Sequence, residues 1–318
     1  MSFNLEQLRI LQAIVEQGSF KRAAEVMYIS QPAVSLQIQN LERGLGVPIF
    51  DRAGRKAELT QAGRLLLEYA QRLLTLAEEA RRAIEDLDRL HGGSLTIGAS
   101  QTTGTYLLPR LIGLFRQQYP DVAVQLHVLS TRRTAYGVAE GRFDLGVVGG
   151  EPPEELEERL EIQPFAEDAL VLVVPADHEL CNRTRVNKHD LYNLKFIGLD
   201  PSSTTRKVID EVLLQAGVDI HALRIEMELS SIEAIKTAVQ ASLGVAFVST
   251  TAIDKELRLG VLRQVAVQEL EMRRTITLLT DPNRYMPRAA QIFRKDILPH
   301  AWQFGSIHLT GGFIPGKP

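Results

Sequence analysis

The chain has 318 residues, length for two or three folding units, since a single hydrophobic core usually stops growing before that size. Its 45% hydrophobic and 24% charged residues are ordinary for a globular protein, no apolar run approaches the about 18 residues of a membrane span, and MSFNLEQLRILQ lacks the pattern of a secretory signal, so the expectation is a cytoplasmic protein with no membrane partner. The lone Cys181 excludes an internal disulfide and a cysteine metal cluster, and residues 1–58 hold seven Lys/Arg against six Asp/Glu, too even a balance to mark a nucleic-acid binder, so DNA binding would have to rest on where the charges sit.

Residues 1–59 read as a compact helical module with breaks at Gly18, at Tyr28 to Ser30 and at Gly44 to Pro48. A first helix, Leu5 to Gln17, puts Leu8, Leu11, Ile14 and Val15 on one stripe. Ser19 is placed to cap a second, Phe20 to Met27, whose Ala23-Ala24 pair admits a close neighbour. Ser30 is placed to cap a third, with Pro32 in the first turn, where a missing N–H costs nothing. Val34, Ile38, Leu41 and Leu45 form its inner stripe, and the opposite side carries Gln31, Pro32, Ser35, Leu36, Gln39, Asn40 and Arg43 without an acidic residue. Amides and a hydroxyl suit base edges in the major groove, and Leu36 suits a thymine methyl. The helix alone fits a plain surface helix equally well; its helix-turn-helix setting favours DNA. Val47 to Leu59 then forms two short extended runs around Gly54, a wing with Arg52, Arg55 and Lys56 as candidates for phosphate or minor-groove contact and a solvated turn as the alternative.

Phe20-Lys21-Arg22-Ala23-Ala24-Glu25, Ser30-Gln31-Pro32-Ala33-Val34-Ser35, Ile38-Gln39-Asn40-Leu41-Glu42, Leu45-Gly46-Val47-Pro48-Ile49-Phe50-Asp51-Arg52 and Leu59-Thr60-Gln61-Ala62-Gly63 together resemble the signature of LysR-type transcriptional regulators. The resemblance implies a winged helix-turn-helix that contacts DNA through Gln31, Pro32, Ser35, Leu36 and Gln39, with phosphate contacts from Arg52 and Arg55. Many members carry a basic residue where this chain has Leu36.

Residues 60–92 follow as one helical pattern without proline, ending at Gly92-Gly93. Leu66, Ala70, Leu73, Ala77, Ala80, Ile84 and Leu87 recur in steps of four and three, the spacing of a two-helix seam. A helix from Thr60 to His91 would span roughly 48 Å, too long for one small domain to cover. A homodimer is therefore expected through this helix rather than packing against the chain's own C-terminal domain, and a two-fold protein reads a two-fold operator.

From residue 93 to 302, strands alternate with helices. Strand patterns fall at Leu95 to Ala99, Val122 to Val128, Leu145 to Val148, Ala169 to Val174, Phe196 to Leu199, Val245 to Val248 and Thr275 to Leu279, with helices such as Leu107 to Gln118 and Arg206 to Ala216, which predicts an α/β domain with a largely parallel sheet. Ser100, Gln101, Thr102 and Thr103 follow the first strand, Thr131 and Arg132 another, and Ser202, Ser203 and Thr204 a third. Ligands of open α/β sheets bind outside the carboxyl ends of strands, where helix N-termini favour anions; ordinary helix capping explains one hydroxyl per helix but not a row of them. Residues 303–318, with little periodicity, read as a loose tail.

This region is again similar to LysR-type regulators, whose sensing domain resembles a two-lobed periplasmic binding protein. The resemblance implies an α+β multidomain chain, with one lobe of about residues 93–165 and 268–302 and a second of about 166–267. Gly98 to Pro109 and Ser35-Leu36-Gln37-Ile38 look most like the carbon-assimilation (CbbR- and CmpR-like) branch. That implies control of carbon dioxide fixation or inorganic carbon uptake, with an anionic effector such as a phosphorylated acid or sugar, 2-oxoglutarate or reduced nicotinamide cofactor. It also implies dimers paired into tetramers, with RNA polymerase as a further candidate partner. Three alternatives stand beside it: an enzyme, a solute-binding protein without gene control, and a LysR-type regulator of an unrelated pathway. The seven histidines show no metal-binding pair, and no phosphate-loop or dinucleotide motif is present, so neither a catalytic nor a metal site is expected.

Overall fold

A computed structural model describes residues 3–51, 57–88, 93–183, 186–304 and 307–309. The chain divides into two compact units, Met1–Glu85 and Asp86–Pro318.

In the first unit, α1 (Leu5–Gln17) starts at Asn4, whose side chain accepts from the Gln7 N–H at 2.9 Å while the Gln7 side chain accepts from the Asn4 N–H at 3.1 Å. It ends at Gly18 with φ 64°, the left-handed cap that glycine supplies without a Cβ clash. At α2 (Phe20–Val26) the expected Ser19 side-chain cap is not made. Ser30 does cap α3 (Gln31–Leu45), accepting from the Ala33 N–H at 3.3 Å. Leu8, Leu11, Ile14, Ala23, Val34, Ile38 and Leu41 form the buried core of this unit. The wing's arms meet at an antiparallel bridge between Phe50 and Leu59, and Phe50 packs edge-on to Phe20 with ring centroids 5.1 Å apart. At the start of α4 (Gln61–Asp88), the Thr60 hydroxyl donates to the Pro48 carbonyl at 2.8 Å and accepts from the Gly63 N–H at 3.0 Å. Gly63 is required there, since a Cβ would lie 2.2 Å from the Ile49 carbonyl oxygen. The helix is not a free connector over its whole length: Ala70 is buried in the core of the helical module, and Leu66, Leu67 and Leu74 pack against it.

In the second unit, β1 (Ser94–Ser100) pairs in parallel with β2 (Ala123–Leu129) and β3 (Leu145–Gly149). A π-helical turn (Thr103–Leu107), α5 (Leu108–Gln118) and α6 (Thr131–Ala139) connect them. The long β4 (Glu161–Pro175) precedes β5 (Lys195–Leu199), α7 (Thr204–Gln215), β6 (Arg224–Leu229), α8 (Ile232–Gln240), β7 (Ala246–Ser249), α9 (Thr250–Leu259) and β8 (Leu262–Val265). β9 (Met272–Thr280), α10 (Arg288–Ile292) and β10 (Ile307–Leu309) complete the order. One core, including Leu95, Ile97, Phe115, Leu145, Phe165, Ile276, Phe293 and Ile297, lies around β1 and β3. Another, including Leu172, Val174, Phe196, Ile209, Ile235, Val239, Phe247 and Ile253, lies between β4, β5 and α7 to α9. β4 and β9 run through both cores.

The sheet is mixed rather than largely parallel. The β1 pairs are parallel, but β4 is antiparallel to β7, β8, β9 and β10, and β9 is antiparallel to β3, while β5 and β6 form a separate two-stranded parallel sheet. Two long strands passing from one core to the next impose this arrangement. A register shift at Pro164, which has no N–H to give, hides the first half of β4 from the hydrophobic pattern. The tail is also not structureless throughout: Ile307 to Leu309 pair with Ala166 to Asp168 of β4.

Candidate DNA-reading face and effector cleft

Along α3, Gln31, Pro32, Leu36 and Gln39 are exposed and Ser35 is half-buried, so the five residues share a solvent face. Leu36 is 54% exposed, an apolar side chain with no intramolecular reason to face water. The buried Glu42 carboxylate instead accepts from the backbone N–H groups of Ile49 at 2.8 Å and Phe50 at 3.3 Å, tying the wing to the reading helix. An acidic residue in the family-like stretch thus has a structural role that periodicity could not show. Arg52, Arg55 and Lys56 lie outside the described residues.

Along α4 the expected seam residues differ in exposure. Ala70 is fully buried within its own unit, and the half-buried Leu66 packs against that core. Leu65, Tyr69, Leu73, Leu76 and Ile84 are the exposed large apolar residues, Leu76 at 60% and Ile84 at 63%. Ala80 is exposed and Ala77 half-buried beside them, while the side chain of Leu87 lies outside the described residues. A seven-residue period cannot tell which of two adjacent stripes meets the chain's own core.

In the second unit, the first-strand hydroxyls divide by role. Ser100 Oγ accepts from the Gly149 N–H at 3.0 Å and lies 3.0 Å from Thr103 Oγ1, which donates to the Val147 carbonyl at 2.7 Å; both fasten β1 to β3. Gln101 donates to the Ser230 carbonyl at 2.8 Å. Thr102 is only 4% exposed, and its hydroxyl makes no hydrogen bond among the described residues. Thr131, at the start of α6, and Thr204, at the start of α7, bring their hydroxyls to 3.0 Å, and Thr204 also donates to the Gly149 carbonyl at 3.1 Å. Two helix N-termini from different cores therefore face each other at the carboxyl end of β3. Ser203 is the N-cap of α7 without a side-chain cap bond.

Two expected contributors point elsewhere. Ser202 is exposed and turns to Asp200, which accepts from its N–H at 2.8 Å and its hydroxyl at 2.6 Å. That contact holds the Asp200 carboxyl below the ordinary carboxylate range. Arg132 is exposed, bonded to Glu155 at 2.8 Å and stacked over the Tyr136 ring. Short-range chemistry satisfies both side chains before a ligand is considered. Sequence reasoning also missed the buried Asp168–Arg274 pair. Asp168 accepts from Arg274 Nη2 at 2.6 Å, Ser249 at 2.7 Å and Thr251 at 3.2 Å, and Arg274 reaches Thr205. The charges of Glu167-Asp168 and Arg273-Arg274, beside the apolar runs of β4 and β9, were the available signal, because a buried charge needs a partner. Among the described residues, no group of three or more His, Cys, Asp or Glu side chains could hold a metal, and no helix is long and apolar enough to cross a membrane.

Residues 5–64 match the bacterial regulatory helix-turn-helix protein, lysR family, and residues 88–302 match the LysR substrate binding domain. The chain belongs to the LysR family. Its relatives include a protein named as a probable RuBisCO transcriptional regulator of Synechocystis, 60% identical over 297 residues that cover 93% of this chain and 86% of that one. Another of that name, from Guillardia theta, is 57% identical over 94% of this chain and 96% of its own. Among solved structures, a full-length OxyR of Pseudomonas aeruginosa has TM-score 0.71 at 23% identity, covering all of both chains. The regulatory domain of Synechocystis CcmR, solved in complex with 2-PG, has TM-score 0.58 at 27% identity over 67% of this chain and 98% of that one. LysR-family proteins are DNA-binding transcriptional regulators, not enzymes, and a lysR-family helix-turn-helix module sets this chain apart from a plain solute-binding protein.

Proposed function

We propose that this LysR-family regulator controls genes of carbon fixation from the cytoplasm, binding a two-fold operator as a self-associated assembly and responding to a small anionic metabolite. The identity to relatives named as RuBisCO regulators, 60% over 93% of the chain, supports the target genes over an unrelated pathway. Gln31, Pro32, Ser35, Leu36 and Gln39 read base edges, while Arg52, Arg55 and Lys56 of the wing neutralise phosphates. The exposed α4 stripe joins two chains, dimers pair, and RNA polymerase meets the assembly at the promoter.

The observation that carries the effector assignment is the convergence of the α6 and α7 N-termini at Thr131 and Thr204, with the largely buried Thr102 in the same domain. Oriented N–H groups and hydroxyls there replace the water around an anion. The CcmR domain solved with 2-PG supports a phosphorylated acid as the ligand class, with 2-oxoglutarate and reduced nicotinamide cofactor as the competing candidates. Calorimetry on the full chain with each of these tests the assignment. Thr102→Val keeps the shape and removes the hydroxyl, so it should weaken the ligand that binds by about tenfold, the scale of one hydrogen bond to a charged group. Unchanged affinity in Thr102→Val, or no binding by any of the panel, would remove this effector site.

A further inference from the structure

We propose that Tyr106 is a latch that holds the two lobes of the sensing domain closed and so positions the effector cleft; the proposal rests on the cleft assignment above. Lys236 of α8 is buried, yet its ammonium is satisfied without help from the other lobe. Its Nζ lies 2.9 Å from Glu233, 2.8 Å from Glu256 of α9 and 3.0 Å from the Ala252 carbonyl. All these partners belong to the core that contains α8 and α9. Tyr106 comes from the π-helical turn after β1, on the side of the first core, and reaches across. Its ring centroid is 4.9 Å from Lys236 Nζ, and its hydroxyl donates to Glu233 at 2.7 Å. Burial and the neighbouring Glu233 hold the Tyr106 hydroxyl in its protonated, donating form. Two further contacts cross at the same place, Gln101 to the Ser230 carbonyl and Arg110 to Asp254 at 3.6 Å.

These contacts use α5, α8 and α9, whereas the cleft's own hydroxyl contact uses α6 and α7. They are separable sets joined by residues 101–107, which carry both Thr102 and Tyr106. Because Lys236 keeps Glu233, Glu256 and the Ala252 carbonyl as partners within its own lobe, parting from Tyr106 leaves that buried ammonium paired, with only a phenol and a ring face to rehydrate. Such a contact can open and close, unlike the four-bonded Asp168 centre. A ligand that binds only the closed arrangement has its apparent dissociation constant divided by the closed fraction, so loss of the latch weakens it.

Tyr106→Phe removes the bond to Glu233 and keeps the ring over Lys236; Tyr106→Leu removes both. Hydrogen exchange on the full, ligand-free chain should show faster exchange confined to residues 101–110 and 230–236, graded from Phe to Leu. Titration with 2-PG should show a several-fold weaker apparent affinity in the same order. Unchanged exchange in both variants, or acceleration spread through the whole domain, would overturn the latch. If 2-PG fails to bind even the unaltered chain, the ligand assignment falls, while the exchange experiment still decides the latch.

Discussion

Gln39 and Glu42 stand three residues apart on α3 and do opposite work. Gln39 is exposed on the reading face and can present both a donor and an acceptor to a base edge; Glu42 turns inward to the wing backbone. Removing Gln39 therefore costs the fold little and the base contact much. Gln39→Ala should lose about 1–3 kcal/mol of discrimination at one or two base pairs of each half-site while affinity for random DNA stays nearly constant. Competition binding with a set of single-base operator variants measures it, and equal loss on specific and random DNA would contradict the role. Serine and threonine chemistry was only partly legible at this scale. Of the hydroxyls at strand ends, Ser100 and Thr103 bond to Gly149 and Val147, contacts that depend on three-dimensional neighbours, and Ser202 to Asp200, only two residues away in sequence.

Among elements, α4 shows most clearly what a pattern can and cannot settle. Its length and its apolar repeat were readable from the sequence, but the repeat alone did not show that Ala70 is buried in the chain's own core and that Leu66 packs against it. The short β6 and β8 were passed over for a related reason: polar residues alternate along Arg224 to Leu229, and Leu262 to Val265 has only two buried positions. β1, β3, β5 and β7, with their apolar runs, were readable. The observed exposure makes Leu76 the sharper probe of self-association. Leu76→Glu places like charges across a two-helix seam and leaves the unit's own core untouched, so sedimentation should show dissociation at concentrations where the unaltered chain is associated. Glu at this position with no change in assembly would remove α4 as the seam.

For the molecule as a whole, regulation requires that a ligand prefer one DNA-bound arrangement over another, since equal affinity for both shifts nothing. Under the proposed effector assignment such a preference follows, because the anion seat is built where the starts of α6 and α7 meet and is complete only when they do. A twenty-fold preference corresponds to about 1.8 kcal/mol, within reach of one or two hydrogen bonds to a charged ligand. The LysR-type fold and the two-lobed plan were legible because signature residues in the first 63 positions and the strand–helix alternation are local in sequence. The meeting of Thr131, Gly149 and Thr204 was less so, because they come together only after folding. Footprinting of the purified chain on DNA upstream of the carbon-fixation genes, with and without the metabolite that calorimetry selects, tests the central claim most directly. A protected two-fold site whose edges or hypersensitive positions change on adding that metabolite, and do not change for Thr102→Val at the same concentration, is the predicted result. No specific protection, or a footprint that the bound metabolite leaves unaltered, would contradict it.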